Sequence, residues 1–334
     1  MTAVVDAHAH VIVPEVTRAA APEEAWRPEV RRDGDHQLFE VGGREVRSAV
    51  REWTELDRIL ADQDAAGTDL VVLSPLVLLL GYDAEPEEGL RRCRIQNEGL
   101  GRMVREGRGR VAALGTVPLQ DPAMAASELR ALMADGVLSG VEIAASVGGH
   151  FLGDDAFEPF WAAAEETAAL VFIHPTTRGF DAQVFQEHYL WNAVGNPLET
   201  TVSAAHLVMT GTMERHPGLK VLLAHGGGAI LALRGRLRHA HSFQPQARSR
   251  LRESPEDSLR RFLYDTVVHD TGLLRALVET VGADRVLCGS DHPFDMGELR
   301  PGDSVRAAGL DPGDEAAVLG GNAARLLGLH VPAP

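Results

Sequence analysis

The chain opens with Ala3-Val4-Val5-Asp6-Ala7-His8-Ala9-His10, a short apolar run that ends in polar residues. Seven similar runs follow, separated by longer amphipathic stretches, at residues 70–75, 111–118, 140–145, 170–175, 220–225, 262–269 and 285–293. Eight strands joined by helical crossovers are what a (β/α)8 barrel requires. A doubly wound sheet is the alternative, but no glycine-rich dinucleotide fingerprint follows the first run. The sequence therefore predicts an α/β protein of the TIM-barrel class.

The stretches between the strands predict helices at residues 55–66, 87–106, 122–134 and 159–168, two of which open with a proline after an acidic residue. All 334 residues are expected to form one domain. Residues 12–53 are much longer than an ordinary connection and contain several Pro and Gly residues. We expect this insertion after the first strand to cross the top of the barrel as a lid or binding loop.

Charge and composition exclude several classes of protein. The chain has 32 basic and 48 acidic residues, a net charge of −16, which disfavours nucleic acid and anionic membranes as partners. The two cysteines, Cys93 and Cys288, do not indicate a disulfide framework. The longest apolar stretch, residues 70–80, is far short of the ~20 residues that a membrane-spanning helix needs. We expect a cytoplasmic protein with a small-molecule substrate.

Histidine and aspartate residues lie at the carboxyl ends of several predicted strands, which in a barrel form the catalytic face. His8 and His10 are two residues apart, so their side chains point to the same side of the first strand. His174, His225 and Asp291 end the fifth, sixth and eighth strands. Imidazole nitrogens and a carboxylate suit a borderline divalent cation, so we expect a metal site that holds Zn²⁺, with Mn²⁺ as the alternative.

An isolated histidine at a strand end is more often a hydrogen-bonded structural residue than a ligand. His150 lies in a glycine-rich loop, and we expect no role in the site for it. His292 should point away from Asp291, because neighbouring residues on a strand alternate sides. For His269, a site role and a structural role are equally supported. Surface or structural roles are expected for His36, His188, His206, His216, His239, His241 and His330.

The order His-x-His, His, His, Asp on strands one, five, six and eight resembles the amidohydrolase superfamily. The local sequences resemble its branch that contains aminocarboxymuconate-semialdehyde decarboxylase. They are Val5-Asp6-Ala7-His8-Ala9-His10, Thr116-Val117-Pro118-Leu119-Gln120, Ile173-His174-Pro175, Ala224-His225-Gly226-Gly227-Gly228, Val268-His269-Asp270 and Gly289-Ser290-Asp291-His292-Pro293-Phe294.

The resemblance implies a role for each of these side chains. The metal ligands would be His8, His10, His174 and Asp291. His225 would be the general acid/base, with Asp291 also part of the catalytic machinery. Arg47 and Arg236 would hold the substrate carboxylate, with Arg236 reaching the site of a neighbouring subunit, which implies a homodimer.

Lysine usage bears on the number of metal ions. Members of the superfamily with two metals commonly use a carboxylated lysine at the end of strand four. The only lysine here, Lys220, begins strand six, at the opposite end of the barrel. The sequence therefore predicts a single metal ion.

Decarboxylation leaves an electron pair on carbon, so it needs a cation near the developing charge and a proton donor near the carbon. The chain departs from the decarboxylase at residues 176–180, where Arg178 is either a third contact for an anion or a loop charge. We expect a metal-dependent, non-oxidative decarboxylase of an unsaturated or aromatic carboxylic acid. The main alternative is a metal-dependent hydrolase of the same superfamily, a lactonase or an amidase, and a non-catalytic barrel is the third.

Overall fold

The computed structural model describes residues 2–34, 36–41, 44–49 and 52–329. Its strands in chain order are β1 (Val5–Val11), β2 (Glu29–Asp33), β3 (His36–Val41), β4 (Arg44–Ala49), β5 (Leu70–Pro75), β6 (Val111–Ala113), β7 (Gly140–Ala144), β8 (Ser146–Val147), β9 (His150–Phe151), β10 (Leu170–His174), β11 (Lys220–Leu223), β12 (Leu263–Asp265) and β13 (Val286–Leu287). The helices are α1 (Leu56–Ala66), α2 (Pro86–Glu106), α3 (Pro122–Asp135), α4 (Glu158–Thr167), α5 (Asn196–Met209), α6 (Thr212–Arg215), α7 (Ile230–Phe243), α8 (Pro255–Leu259), α9 (Thr271–Val281), α10 (Pro301–Ala307), α11 (Pro312–Ala316) and α12 (Asn322–Leu327).

Eight of the strands are parallel and follow one another in chain order. β1, β5 and β6 form one sheet, and β7, β10, β11, β12 and β13 form the other. A parallel bridge between Gly115 and Val141 connects β6 to β7, and one between Ala9 and His292 connects β1 to the chain after β13. The strands therefore surround one interior, which confirms the predicted TIM-barrel class.

Alternate residues of these strands fill the interior of the barrel. This follows from the period of two with which side chains change faces along a strand. The buried apolar side chains there include Ala7, Val72, Leu114, Phe172, Leu222 and Leu287.

The helices begin and end close to the predicted residues. α3 starts with Pro122, and the side chain of Asp121 accepts hydrogen bonds from the N–H groups of Ala123 and Met124 at 3.1 and 3.0 Å. Asp121 thereby stabilises the helix start that the acidic residue and proline predict. α4 begins one residue earlier than predicted, at Glu158.

The insertion after β1 contains a three-stranded antiparallel sheet in the order β2, β3, β4. Aromatic side chains pack the insertion against the barrel. The rings of Phe39 and Trp53 lie 4.8 Å apart, and the rings of Trp53 and Phe294 lie 4.9 Å apart. Phe294 follows the end of the eighth barrel strand, so the insertion lies beside the carboxyl ends of the strands. In the described ranges, no helix has both the length and the apolar character to cross a membrane.

Candidate metal centre and active site

The five titratable side chains singled out from the sequence meet at the carboxyl ends of the barrel strands. Asp291 Oδ1 lies 3.1 Å from His8 Nε2 and 3.3 Å from His10 Nε2. The distance from the same oxygen to His174 Nε2 is 3.9 Å. His225 Nε2 lies 3.5 Å from Asp291 Oδ2. Residues from four strand ends thus point at one small volume.

Hydrogen bonds behind the three buried histidines orient their rings. The Nδ1 of each donates to an acceptor on the far side of the ring: Asp265 Oδ2 for His8 at 2.6 Å, the carbonyl of Pro75 for His10 at 3.2 Å, and the carbonyl of Pro175 for His174 at 2.9 Å. Each Nε2 is therefore left facing Asp291. Hydrogen bonds of this kind commonly fix the ring orientation of histidines that bind metal.

Two atoms that face the centre, His174 Nε2 and Asp291 Oδ1, make no well-directed hydrogen bond among the described residues, although histidine nitrogens lie close to Asp291 Oδ1. Both side chains are buried, where polar atoms rarely lack a partner. Ligand atoms of His8, His174, His225 and Asp291 all lie within 4.8 Å of one another. Imidazole nitrogens with a carboxylate oxygen are the donors that a divalent cation such as Zn²⁺ takes, so the residues fit a metal ion.

Electrostatics keep Asp291 and His174 in states that suit a cation, whereas His8 holds a proton that a bound cation would displace. Burial opposes a charge on His8, but Asp291 and Asp265 outweigh it and raise the pKa of His8 from 6.5 to about 10. Burial and the surrounding histidines lower the pKa of His174 well below its usual value. Burial raises the pKa of Asp291, yet the histidines, His8 above all, hold it well below its ordinary value. Asp291 is therefore ionised and His174 is neutral.

His225 lies on a sharp turn that the glycines after it make possible. His225 and Gly226 have φ angles of 56° and 60°, both in the left-handed region. A Cβ atom on Gly228 would lie 2.0 Å from the carbonyl oxygen of Pro197, so only glycine fits there. The turn leaves 14% of the His225 side chain exposed, which makes it the most accessible of the five groups.

Two buried carboxylates in the site were missed from the sequence. Asp265 accepts hydrogen bonds from the N–H groups of His225 and Gly226 at 2.9 and 2.7 Å, in addition to the ring of His8. Asp6 accepts from the N–H and hydroxyl groups of Ser290 and so ties β1 to the segment that carries Asp291. The predicted seventh run continues to residue 269, whereas β12 ends at Asp265. If the seventh strand had been predicted to end at Asp265, the strand-end rule would have made Asp265 a candidate site residue.

A cavity of about 290 Å³ opens onto His174, His225 and Asp291. Most of its wall is apolar, from Val77, Leu78, Trp191, Phe294 and Met296. Glu45 and Val46 of β4 also line it, so the insertion forms part of the cavity wall. A cavity of this size, with a largely apolar wall and several polar and charged side chains, suits a small ligand that carries both apolar and charged groups.

Arg178 lies in the cavity wall, with its guanidinium carbon 4.2 Å from the centre of the Trp191 ring. The loop that carries it is held by the buried carboxylate of Glu199. This carboxylate accepts hydrogen bonds from the N–H groups of Thr176 and Thr177, both at 3.0 Å, and of Gly179 at 2.6 Å. Glu199 thus fixes the backbone on both sides of Arg178.

The other two predicted arginines lie elsewhere. Arg47 belongs to β4, where its backbone pairs with Leu38, and its side chain lies outside the described part of the structure. Arg236 lies on the exposed face of α7 and does not line the cavity of its own chain.

The other histidines that the sequence put near the site do not belong to it. His292 turns away from it, since its Nε2 donates to the carbonyl of Glu52 at 3.2 Å. His269 lies past the end of β12, and its Nδ1 is 3.2 Å from Glu298 Oε1. His150 is exposed and lies beside Asp154. His330 lies outside the described residues.

The family model described as amidohydrolase matches residues 5–329. A 2-amino-3-carboxymuconate-6-semialdehyde decarboxylase of Dictyostelium discoideum is 32% identical over 78% of this chain and 73% of its own. A gamma-resorcylate decarboxylase of Rhodococcus jostii is 26% identical over 73% of this chain and 81% of its own. The chain therefore belongs to the amidohydrolase family. Within that family, both of these relatives are decarboxylases.

A solved structure has the same fold. The 5-carboxyvanillate decarboxylase of Novosphingobium aromaticivorans, complexed with manganese and 4-hydroxy-3-methoxy-5-nitrobenzoic acid, superposes with a TM-score of 0.82 at 19% identity. The match covers 98% of this chain and 96% of that one.

Proposed function

We propose that this chain is a metal-dependent, non-oxidative decarboxylase of an unsaturated or aromatic carboxylic acid, with His225 as the proton donor. The observation that carries the proposal is the position of His225. Its ring is open to the cavity, and its Nε2 lies 3.5 Å from Asp291 Oδ2 at the edge of the metal centre. A substrate in the cavity would therefore contact the metal centre and a proton donor together.

His8, His10, His174 and Asp291 would hold one divalent ion. When bound, the ion supplies positive charge to the oxygen atoms of the substrate. Three imidazole nitrogens and one carboxylate support Zn²⁺, and Mn²⁺ is the alternative. The manganese in the 5-carboxyvanillate decarboxylase supports that alternative.

The side chains of the cavity would carry out the rest of the reaction. As the bond between the substrate and its carboxylate breaks, the electron pair stays on carbon and carbon dioxide leaves. Protonated His225 donates its proton to that carbon, and solvent returns a proton to the ring. Asp291 Oδ2, 3.5 Å from His225 Nε2, would orient this ring for the transfer. Trp191 and Phe294, which both line the cavity, would contact the apolar part of the substrate.

Arginines would bind the anionic end of the substrate, because a guanidinium group matches the planar geometry of a carboxylate. Arg178 lines the cavity, and Arg47 lies on β4, the strand whose residues Glu45 and Val46 also line it. Arg236 would enter from a second copy of the chain. Arg236 is exposed on α7, as a residue that reaches a second copy must be.

The experiment is a carbon dioxide release screen over aromatic and muconate-type carboxylates, with chelator-treated protein before and after addition of Zn²⁺ or Mn²⁺. The proposal expects metal-dependent release and, in D2O, one deuterium at the vacated carbon. The matched variant is His225→Asn, which should bind metal without turnover. Hydrolysis of lactones or amides with no carbon dioxide would favour the hydrolase instead.

A further inference from the structure

Beside the metal centre lies one more buried carboxylate, which has no role among the ligands and supporting groups described above. Glu142 lies on β7, is fully buried, and has no hydrogen-bond partner for either carboxylate oxygen among the described residues. An ionised carboxylate without a partner is costly at this depth, because neither water nor a donor stabilises its charge. A carboxylate placed there needs a cation or a proton.

Glu142 lies beside the metal centre, next to His10 and His174, and does not line the substrate cavity. Its Oε1 lies 3.6 Å from His10 Nδ1, and ligand atoms of His10, Glu142 and His174 all lie within 4.8 Å of one another. In the barrel, Glu142 is level with Phe172, whereas His174 is level with Ala144. Glu142 is thus two residues deeper along the strands than His174 and does not line the cavity.

The two groups of ligand atoms are best explained by one ion. His174 belongs to both groups, but its Nδ1 already donates to the carbonyl of Pro175, which leaves only Nε2 for a metal. One nitrogen lone pair binds one ion. The groups therefore describe two sides of a single centre.

We propose that Glu142 is a further ligand of this metal ion and supplies an oxygen atom from the floor of the site. The ion would then have more than the four ligands that are typical of structural Zn²⁺ sites. Two of its ligands would be carboxylate oxygens, which would favour Mn²⁺ relative to Zn²⁺. This inference rests on the metal centre of the proposed function, but it does not depend on the reaction.

Cobalt is the direct probe of the number of ligands, because the visible d–d absorption of Co²⁺ weakens as its coordination number rises. The full chain is treated with a chelator and loaded with Co²⁺, as wild type and as Glu142→Gln. The proposal expects stronger absorption per bound ion in Glu142→Gln, at one ion per chain. The matched control is Glu128→Gln, which removes a buried carboxylate that pairs with Arg94 at 2.8 Å away from the centre.

Metal preference is the second measurement. Titrations of the same proteins with Mn²⁺ and Zn²⁺ should show that Glu142→Gln loses at least about tenfold more affinity for Mn²⁺ than for Zn²⁺. Glu142→Asp, which retracts the carboxylate by one methylene, should show an intermediate loss. It also replaces the glutamine variant if that variant does not fold.

The outcomes separate this inference from the proposed function. An unchanged Co²⁺ spectrum together with an equal loss for both metals in Glu142→Gln would overturn the ligand role and leave the decarboxylase intact. Two bound ions per chain would overturn the single centre with Glu142 as its ligand. A wild-type chain that binds no metal would remove both proposals.

Discussion

Oδ2 of Asp265 accepts a hydrogen bond from the ring of His8 at 2.6 Å, and the same oxygen accepts from the backbone N–H of His225 at 2.9 Å. One buried carboxylate therefore orients a proposed metal ligand and the turn that carries the proposed proton donor. Asp265 acts through these two residues and does not itself reach the cavity.

Removal of this carboxylate should weaken metal binding. In Asp265→Asn, His8 loses the charged acceptor that fixes its ring, so we expect Zn²⁺ affinity to fall by about 10- to 100-fold. Calorimetric titration of chelator-treated protein with Zn²⁺ measures this affinity. Asp257→Asn, at a mostly exposed aspartate of α8, should bind Zn²⁺ like the wild type. Wild-type affinity in Asp265→Asn would show that the ring of His8 is fixed by other contacts.

The proposed ligand and the proposed proton donor should respond differently to removal. His225→Asn should retain its metal and lose about 10²- to 10⁴-fold in turnover, because a positioned general acid contributes that much. His174→Ala should lose the metal itself. Elemental analysis of both purified variants checks the difference, and equal loss of metal in the two would contradict the division of roles.

Arg178 should contribute to substrate binding more than to the reaction. In Arg178→Gln, loss of a charge-assisted hydrogen bond of about 1.5–3 kcal/mol should raise KM about tenfold or more, with kcat changed by less than about threefold. Arg105→Gln is the control, since Arg105 is exposed on α2 and does not line the cavity. Steady-state kinetics on the substrate found in the screen gives both constants. An unchanged KM would make Arg178 a loop charge.

Acid should weaken the attachment of the insertion at Glu52. Burial raises the pKa of this carboxyl, but hydrogen bonds from Thr54, Glu55 and Arg32 outweigh it and lower the pKa from 4.5 to about 2. The unfolded chain therefore binds more protons than the folded chain between these values. The stabilisation, about 3 kcal/mol, is fully present above about pH 5 and is lost as the pH falls towards 2.

The test compares urea unfolding of the wild type and Glu52→Gln across this range. The difference in free energy of unfolding should be largest at neutral pH and should shrink as the pH falls from about 5. A difference that does not depend on pH would mean that Glu52 contributes through packing alone.

Local patterns in the sequence were sufficient to predict the barrel and the convergence of five side chains at one end of it. Strand-end position and the period of two place His8 and His10 correctly, because both depend only on residues nearby in the chain. The same rule predicts that His292 points away from the centre, as the structure shows. The amphipathic helices were predicted to within a residue or two for the same reason.

The supporting carboxylates could not be predicted this way, because their partners are set by the order of strands around the barrel. Asp265 meets His8 across 257 positions of sequence, and Asp6 meets Ser290 across 284. Glu142 becomes notable only when its depth and lack of partners are known. The sheet of β2–β4 was predicted only as an insertion, since its strands lack the continuous apolar runs that mark the barrel strands.

The only lysine has a practical consequence. Lys220 begins β11, and its Nζ donates to the carbonyl of Leu326 at 3.4 Å, whereas His225 follows the other end of the same strand. Reagents that couple to lysine side chains can therefore attach only at the end of the barrel opposite the cavity. A chain immobilised on a solid support through Lys220 would keep its cavity mouth facing the surrounding solution.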